Sequence, residues 1–187
     1  MRVISGTARG TKLNSIEDIS TRPTLDRVKE SLFNIINPRI DDSIILDLFA
    51  GSGAIGIEFL SRGCRTAYFC DLSKKAVDMI NQNLEKTRLK NDAVVFNTDY
   101  KKCLQQLANR DIALDIIFID PPYKDDIAVD AVQMILSLKL LKNNGLIIIE
   151  TDEKDREINN LEKLDIEIFD IRKYGRANLI FLKYERG

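Results

Sequence analysis

The tetrapeptide Asp120–Tyr123, with the sequence Asp-Pro-Pro-Tyr, directly follows the apolar run Ile-Ile-Phe-Ile. Pro121 and Pro122 have no backbone N–H, so few donors compete for the carbonyl oxygens of this segment. The Asp120 carboxylate adds acceptors, and the ring of Tyr123 offers a flat face for stacking. This combination suits a planar substrate with an exocyclic amino group, such as a nucleobase. A simple Asp-Pro turn after a buried strand is the structural alternative.

A glycine turn upstream predicts a nucleotide-cofactor site. An apolar run beginning at Ile44 leads into a G-x-G-x-x-G motif at Gly51, Gly53 and Gly56, and Asp71 ends the next apolar run. Glycines in such a turn allow the backbone to approach a cofactor closely, and the later acid can accept hydrogen bonds from ribose hydroxyls. A dinucleotide-dependent dehydrogenase is one interpretation of this motif.

Asp47, just before the turn, favours a different cofactor. Its carboxylate would repel the pyrophosphate of a dinucleotide, whereas it suits a cofactor with an ammonium group and no phosphate. S-adenosylmethionine has a zwitterionic methionine tail and a sulfonium, and it fits this description. The chain also contains no His, the side chain most often used for proton transfer. The sequence therefore favours a methyl donor over a nicotinamide cofactor.

These residues resemble the class I S-adenosylmethionine-dependent methyltransferases that methylate amino groups with a D-P-P-Y motif. The opening Arg2–Gly6 and the stretch Thr21–Asn34 narrow the match to the bacterial 16S rRNA (guanine-N2)-methyltransferases, the RsmD-like family. The resemblance runs essentially from end to end and includes Glu150 and the pair Tyr174-Gly175. These motifs are far more specific together than any one of them alone.

The resemblance implies roles for three groups of residues. The catalytic group is Asp120, Pro121, Pro122 and Tyr123. The cofactor-binding group is Asp47, Phe49, Ala50, Gly51, Gly53, Asp71, Leu72, Asp99 and Tyr100. The substrate-binding group is Arg2, Arg9, Lys12, Arg22, Thr24, Arg27, Tyr174 and Arg176. Asp71 is expected to contact the ribose hydroxyls, Asp99 the adenine amino group and Asp47 the ammonium group.

The composition fits one soluble domain with a sizeable core, because 44% of the 187 residues are hydrophobic and 30% are charged. No apolar run approaches the ~20 residues of a membrane span, and a signal-peptide pattern is missing. We therefore expect a cytoplasmic protein, and a monomer by default. Cys64, Cys70 and Cys103 have no C-x-x-C spacing, so they predict buried reduced thiols and no metal site.

The net charge of −1 hides an asymmetry. Residues 1–40 carry +3, residues 41–171 carry −8 and residues 172–187 carry +4. Basic ends on an acidic body can draw a phosphate backbone to one edge of a protein, although ordinary solvated termini give the same count. With the family resemblance, the expected partner is small-subunit rRNA, within an assembled or assembling ribosomal subunit.

Apolar runs that alternate with amphipathic segments predict an α/β fold. Strands are expected at 44–48, 66–71, 93–97, 115–120, 145–150, 166–173 and 178–184. Helices are expected at 54–62, 73–88, 100–109, 127–138 and 154–161, and a further helical pattern, Leu25 to Ile36, precedes Pro38. We expect a Rossmann-like class I methyltransferase fold. Its seven-stranded, mainly parallel sheet would end in an antiparallel pair, and a small hairpin-and-helix extension would precede it.

Two units are predicted, an RNA-binding extension at residues 1–40 and a methyltransferase core at residues 41–187. Residues 1–14 are expected to form a hairpin of short strands around Thr7–Gly10. In the core, Asp47, Asp71, Asp99 and Asp120 each fall at or just past a strand end. They are expected to form one rim, although each alone could instead be a helix-capping aspartate, Asp99 above all.

Two other functions remain open at this point. An adenine-N6 DNA methyltransferase uses the same D-P-P-Y device, but it usually has a substantial target-recognition domain, and only about 40 residues precede the core here. A non-catalytic RNA-binding module would retain the fold as a relic. The intact Asp47, Gly51, Gly53 and Asp120 argue against such decay.

Overall fold

A computed structural model describes residues 1–15, 22–122 and 126–185, with the backbone alone for residues 22–25. Seven strands form one sheet in the order β3-β2-β1-β4-β5-β7-β6. They are β1 (Ile44–Asp47), β2 (Thr66–Asp71), β3 (Ala93–Asn97), β4 (Leu114–Ile119), β5 (Leu141–Thr151), β6 (Glu167–Tyr174) and β7 (Ala177–Lys183). The first five strands are parallel, and β7 pairs antiparallel with both β5 and β6. The predicted α/β class and sheet are confirmed.

Helices cover both faces of the sheet, as expected when parallel strands are joined by crossovers. They are α1 (Arg22–Ile36), α2 (Ala54–Ser61), α3 (Lys74–Thr87), α4 (Tyr100–Ala108), α5 (Ile127–Ser137) and α6 (Lys154–Leu161). Short 3₁₀ turns follow at Asn37–Arg39 and Lys90–Asp92. In the described parts of the chain, no helix is both long and apolar enough to cross a bilayer.

The strand sequences explain the two-sided core. Along β4, Ile116 and Phe118 pack into the cluster under α1, α2 and α3, whereas Ile117 and Ile119 pack into the cluster under α4, α5 and α6. Because side chains alternate between the faces of a strand, a continuous apolar run is what a strand buried on both faces requires. The three cysteines are buried and free, as predicted.

Most element bounds agree with the sequence-based prediction, with one marked exception. Strand β5 begins at Leu141, four residues before the predicted start. Leu141 pairs with Leu114, and the register then shifts before Ile116 pairs with Leu146. This irregular segment contains Asn144 with a φ of 61°, and no apolar pattern in Lys142–Asn144 marks it as strand.

The N-terminal segment turns back on itself as the predicted hairpin, although residues 1–15 contain no regular strand. A single antiparallel bridge joins Arg2 and Lys12. The N–H of Val3 donates to the Thr11 carbonyl at 3.0 Å and that of Gly10 to the Val3 carbonyl at 2.9 Å, and other amides of the segment bond to α2. The N–H of Ile4 donates to Glu58 at 2.9 Å, and the N–H of Ala8 donates to the Ser61 hydroxyl at 3.0 Å. These hydrogen bonds to α2 therefore hold the hairpin against the core.

This segment shares the core of the remainder of the protein. Val3, Ala8 and Leu13 are buried in the same cluster as Leu32 and Phe33 of α1. Residues 1–40 are thus continuous with the core in packing terms. Their separate function as an RNA-binding extension, and the division at residue 41, stay predictions.

Candidate active site

Five carboxylates line the edge of the sheet where the parallel strands end. Across the sheet, Asp99 follows β3, Asp71 ends β2, Asp47 ends β1, Asp120 follows β4 and Glu150 lies one residue before the end of β5. The strand order reverses between β1 and β4, which is where open α/β sheets bind their ligands. The structure therefore brings the predicted rim together, with Asp47 and Asp120 at its centre.

The glycine turn joins β1 to α2 on this edge. Gly51 and Gly53 have φ values of 54° and 78°, a left-handed backbone conformation that other residues rarely adopt. A Cβ at Gly51 would meet no atom within 4 Å, so this side of the turn is open. A Cβ at Gly56 would lie 2.2 Å from the Phe69 ring, so this third glycine allows α2 to pack against β2.

A cavity of about 250 Å³ opens above the centre of the rim. Its lining includes the predicted residues Asp47, Phe49, Ala50, Gly51 and Asp120. It also includes Met1, Val28, Lys29, Leu32, Ser52, Ala54, Ile55, Phe118 and Glu150, which were not assigned a site role. Helix α1 therefore forms one wall of the cavity, opposite the strand ends.

All three carboxyl groups that line this cavity have raised pKa values. Burial raises the pKa of Asp47 to about 7, although the Gly56 N–H donates to it at 3.0 Å and opposes the shift. Burial also raises the pKa of Asp120, and the nearby Glu150 and Asp47 raise it further. The pKa of Glu150 is raised by burial. A positively charged ligand would favour the ionised forms of all three groups.

The raised pKa of Asp47 predicts that the free energy of unfolding depends measurably on pH. Its folded-state pKa of about 7 exceeds the ordinary value of 3.8, so the folded protein retains a proton that the unfolded chain releases. Stability from this group is full below pH ~4 and falls by up to about 1.4 kcal/mol per pH unit until about pH 7. Urea unfolding at pH 5 and pH 7.5 should show the fall. In Asp47→Asn, the free energy of unfolding should change less between these two pH values. An equal change in both proteins would contradict the raised pKa of Asp47.

Asp71 holds the far side of the glycine turn. One carboxylate oxygen accepts from the Gly51 N–H and the other from the Ser73 N–H, each at 2.8 Å. The next residue, Leu72, is 73% exposed, which is unusual for so large an apolar side chain. The turn, the acid and the apolar surface are therefore adjacent, as the cofactor prediction requires.

Asp99 and Tyr100 begin α4 beside this group. Asp99 is the N-cap of the helix and accepts from the Lys102 N–H at 3.0 Å. The ring of Tyr100 lies 5.5 Å from that of Phe49, which links it to the cavity wall. The capping role of Asp99 is established by this geometry, and its contact with adenine stays a prediction.

The predicted substrate-binding residues divide into three sets. Arg2, Arg9 and Arg27 line a second cavity of about 380 Å³ beside the N-terminal turn. Tyr174 and Arg176 lie at the β6–β7 turn, where the Tyr174 hydroxyl bonds to that of Ser31 in α1. Lys12 is exposed on the N-terminal turn. The side chains of Arg22 and Thr24, and the whole of Tyr123, lie outside the described residues.

Comparison with known proteins agrees with this geometry. The family model described as "Conserved hypothetical protein 95" matches residues 1–183. The chain belongs to this family. It is 42% identical to "Putative rRNA methyltransferase YlbH" of Bacillus subtilis, over 100% of both chains. It is 38% identical to "Ribosomal RNA small subunit methyltransferase D" of Haemophilus influenzae, over 84% of this chain and 81% of the relative.

The solved structures give the same result. "Putative methyltransferase yhhF from Escherichia coli" superposes with a TM-score of 0.84 at 26% identity, over 100% of this chain and 99% of that one. The predicted class I methyltransferase fold is therefore confirmed. By family and fold the chain is an S-adenosylmethionine-dependent methyltransferase. Within the described ranges, no three acidic or thiol side chains are grouped closely enough to hold a metal ion.

Two charged residues of the cavity were not predicted as site residues. Glu150 follows the apolar run Leu146–Ile149, just as Asp120 follows its own apolar run, so a signal was present in the sequence. Lys29 had no such signal, because a lysine on an amphipathic helix usually faces solvent. Its burial depends on Glu58, which the fold brings to it at 3.2 Å.

Proposed function

We propose that the protein transfers a methyl group from S-adenosylmethionine to the exocyclic N2 amine of a guanine in 16S rRNA of the small ribosomal subunit. The observation that carries this proposal is the position of Asp120. Its carboxylate lines the central cavity and is followed at once by Pro121 and Pro122. The site thus combines acceptors for an amino group with a cofactor cavity, and the names of the family relatives support rRNA as the substrate.

The residues of the rim fit the cofactor. When bound, S-adenosylmethionine supplies an electrophilic methyl group on a sulfonium. Asp47 would hold the ammonium group, and the open turn at Gly51 leaves room for the methionine part. Asp71 would accept from the ribose hydroxyls, while the exposed Leu72 would cover an apolar face of the adenine. Asp99 would accept from the adenine amino group.

Asp120 would orient the substrate amine. The guanine N2 lone pair is delocalised into the ring, which makes it a weak nucleophile. If Asp120 and the Pro121 carbonyl each accept one of its N–H bonds, a more tetrahedral nitrogen is favoured and the lone pair is freed. Alignment of this kind can contribute roughly 7–11 kcal/mol to catalysis. Because the raised pKa of Asp120 makes it a stronger base, it would also accept the proton that the amine loses.

The guanine must leave its stack to reach this cavity, and Tyr123 would stack on it there. The basic residues of the N-terminal turn and of α1 would contact the flanking phosphates. We place the reaction in the cytoplasm, on an assembled or assembling subunit, with the enzyme acting as a monomer.

The deciding experiment is transfer of a labelled methyl group from S-adenosylmethionine to small ribosomal subunits, to protein-free rRNA and to duplex DNA. Nucleoside analysis by mass spectrometry should find N2-methylguanosine in rRNA alone. N6-methyladenine in DNA would instead support the DNA methyltransferase. Calorimetric binding of the cofactor without transfer to any of the three would support a non-catalytic module.

Asp71→Ala is expected to weaken S-adenosylmethionine binding by about 1.5–3 kcal/mol, the range for a hydrogen bond to a charged group. Part of this loss would come from the freed Gly51 and Ser73 amides. Asp71→Asn keeps one acceptor and should lose less. Calorimetric titration measures both, with Asp78→Ala on the exposed face of α3 as control. Unchanged affinity in Asp71→Ala would leave Asp71 a purely structural role.

A further inference from the structure

A cleft runs along the exposed side of α1, facing the β6–β7 turn. We call it the α1 cleft, and its volume is about 550 Å³. Its lining is Arg27, Val28, Glu30, Ser31, Asn34, Lys173, Tyr174 and Gly175. This volume lies within the range of small-molecule binding sites, about 300–1,000 Å³. None of the catalytic or cofactor residues belongs to it.

The α1 cleft adjoins both of the other cavities of this face. It shares Val28 with the cavity that Asp120 lines, and it shares Arg27 and Glu30 with the cavity beside the N-terminal turn. Residues 27–34 of α1 therefore form a common wall. An RNA strand that places one nucleotide in the cavity lined by Asp120 would have the adjacent nucleotide at the α1 cleft.

The floor of the α1 cleft is fixed by a hydrogen bond across it. The hydroxyls of Ser31 and Tyr174 bond to each other, which ties α1 to the β6–β7 turn. The Tyr174 ring also packs against the main core. The shape of the cleft is therefore set by folded elements on both sides.

The side chains around this floor suit a nucleotide. Arg27 and Lys173 are exposed cations on opposite walls, and neither forms an ion pair with any described residue. Asn34 offers an amide that can donate and accept, and Glu30 offers acceptors. These are the groups that read the edge of a base, while the two cations suit its phosphates.

We propose that the α1 cleft is a second nucleotide site, which holds an unstacked nucleotide next to the methylated guanine. This inference rests on the proposed rRNA substrate. Extruding the guanine removes a stacking partner from its neighbour, and a separate site for that neighbour offsets the loss. Asn34 and Glu30 contact its base, and Arg27 and Lys173 contact its phosphates.

The kinetic test uses the double variant Asn34→Ala/Lys173→Ala. Alanine favours the helix at residue 34, and Lys173 is exposed, so folding is preserved. For methyl transfer to small ribosomal subunits, we expect KM to rise about tenfold, the effect of losing about 1.4 kcal/mol of binding. The kcat and the calorimetric affinity for S-adenosylmethionine should change less than about twofold. The control Asn91→Ala/Lys86→Ala alters the same residue types on the side of the sheet near β3.

Cross-linking then locates the bound nucleotide. A benzophenone amino acid in place of Asn34, irradiated on small ribosomal subunits, should stop reverse transcription within about two nucleotides of the methylated guanine. The same group in place of Asn91 should not. Cross-links to a ribosomal protein, or to distant rRNA, would overturn the α1 cleft as a nucleotide site. Failure of the unmodified enzyme to methylate any rRNA would instead remove the proposed function, and that is measured first.

Discussion

Asp120→Ala is expected to reduce methyl transfer by about 10²–10³-fold, the cost of removing one positioned hydrogen-bonding group from an active site. The reason is that, in the proposed mechanism, Asp120 accepts an N–H of the amine at the cavity between β1 and β4, while its neighbours Pro121 and Pro122 offer only carbonyl oxygens. Single-turnover transfer from labelled S-adenosylmethionine to small ribosomal subunits measures the effect. Asp120→Asn retains a carbonyl acceptor and should keep more activity than Asp120→Ala.

Cofactor binding separates this role from a structural one. Asp120→Ala removes one of three acids from this cavity, and Asp47 and Glu150 remain to face the positively charged cofactor. Calorimetric affinity for S-adenosylmethionine should therefore change little compared with methyl transfer. Asp152→Ala, which alters an exposed acid just beyond β5, is the matched control. A loss of cofactor affinity as large as the loss of transfer would assign Asp120 to the cofactor pocket instead.

The sequence predicts the rim of acids because each acid follows its own apolar run. An apolar run that forms a strand buried on both faces ends near the first charged residue after it, so Asp47, Asp71 and Asp120 mark strand ends directly. Parallel order then brings those ends to one edge. The same reasoning extends to Glu150, which follows Ile149 in the same way.

The contacts of the N-terminal segment could not be predicted in this way. Glu58 lies within α2 between apolar neighbours, and nothing local shows that Ile4 and Ser5 would donate their amides to it. The burial of Lys29 depends on the same distant partner. Contacts between residues far apart in sequence arise from tertiary packing, and the local hydrophobic pattern of the sequence does not predict them. For the same reason the sequence assigns Arg27 and Tyr174 to RNA binding without predicting that they line one cleft, because its two walls are more than a hundred residues apart.

Glu58→Ala is expected to lower the free energy of unfolding by about 3–5 kcal/mol, the cost of removing one partner from a buried ion pair. Glu58 is fully buried and accepts from the amides of Ile4 and Ser5, from Lys29 at 3.2 Å and from Arg62 at 2.8 Å. Its loss leaves the Lys29 ammonium buried without its carboxylate, although burial already lowers the pKa of that group. Urea unfolding measures the change.

Controls for this prediction come from the same chain. Glu85→Ala breaks the exposed pair with Lys90 and should cost at most about 1 kcal/mol. Adding Lys29→Met to Glu58→Ala should restore part of the stability, because the unpaired charge is then gone. If Glu58→Ala costs no more than Glu85→Ala, the buried cluster does not anchor the N-terminal segment.

Deletion of residues 1–14 tests the same contacts by removing the N-terminal segment instead of Glu58. It removes Val3, Ala8 and Leu13 from the core and takes two amide donors away from Glu58. We therefore expect the truncated protein to unfold at a lower urea concentration, and to lose cofactor binding along with RNA methylation. The double variant Arg2→Ala/Arg9→Ala keeps the buried contacts of the segment and should weaken RNA binding alone. The slope of log K for RNA binding against log salt concentration should become shallower by up to ~0.7–0.9 per lost phosphate contact. A truncated protein of full stability that still binds S-adenosylmethionine would show that the segment is a separable extension.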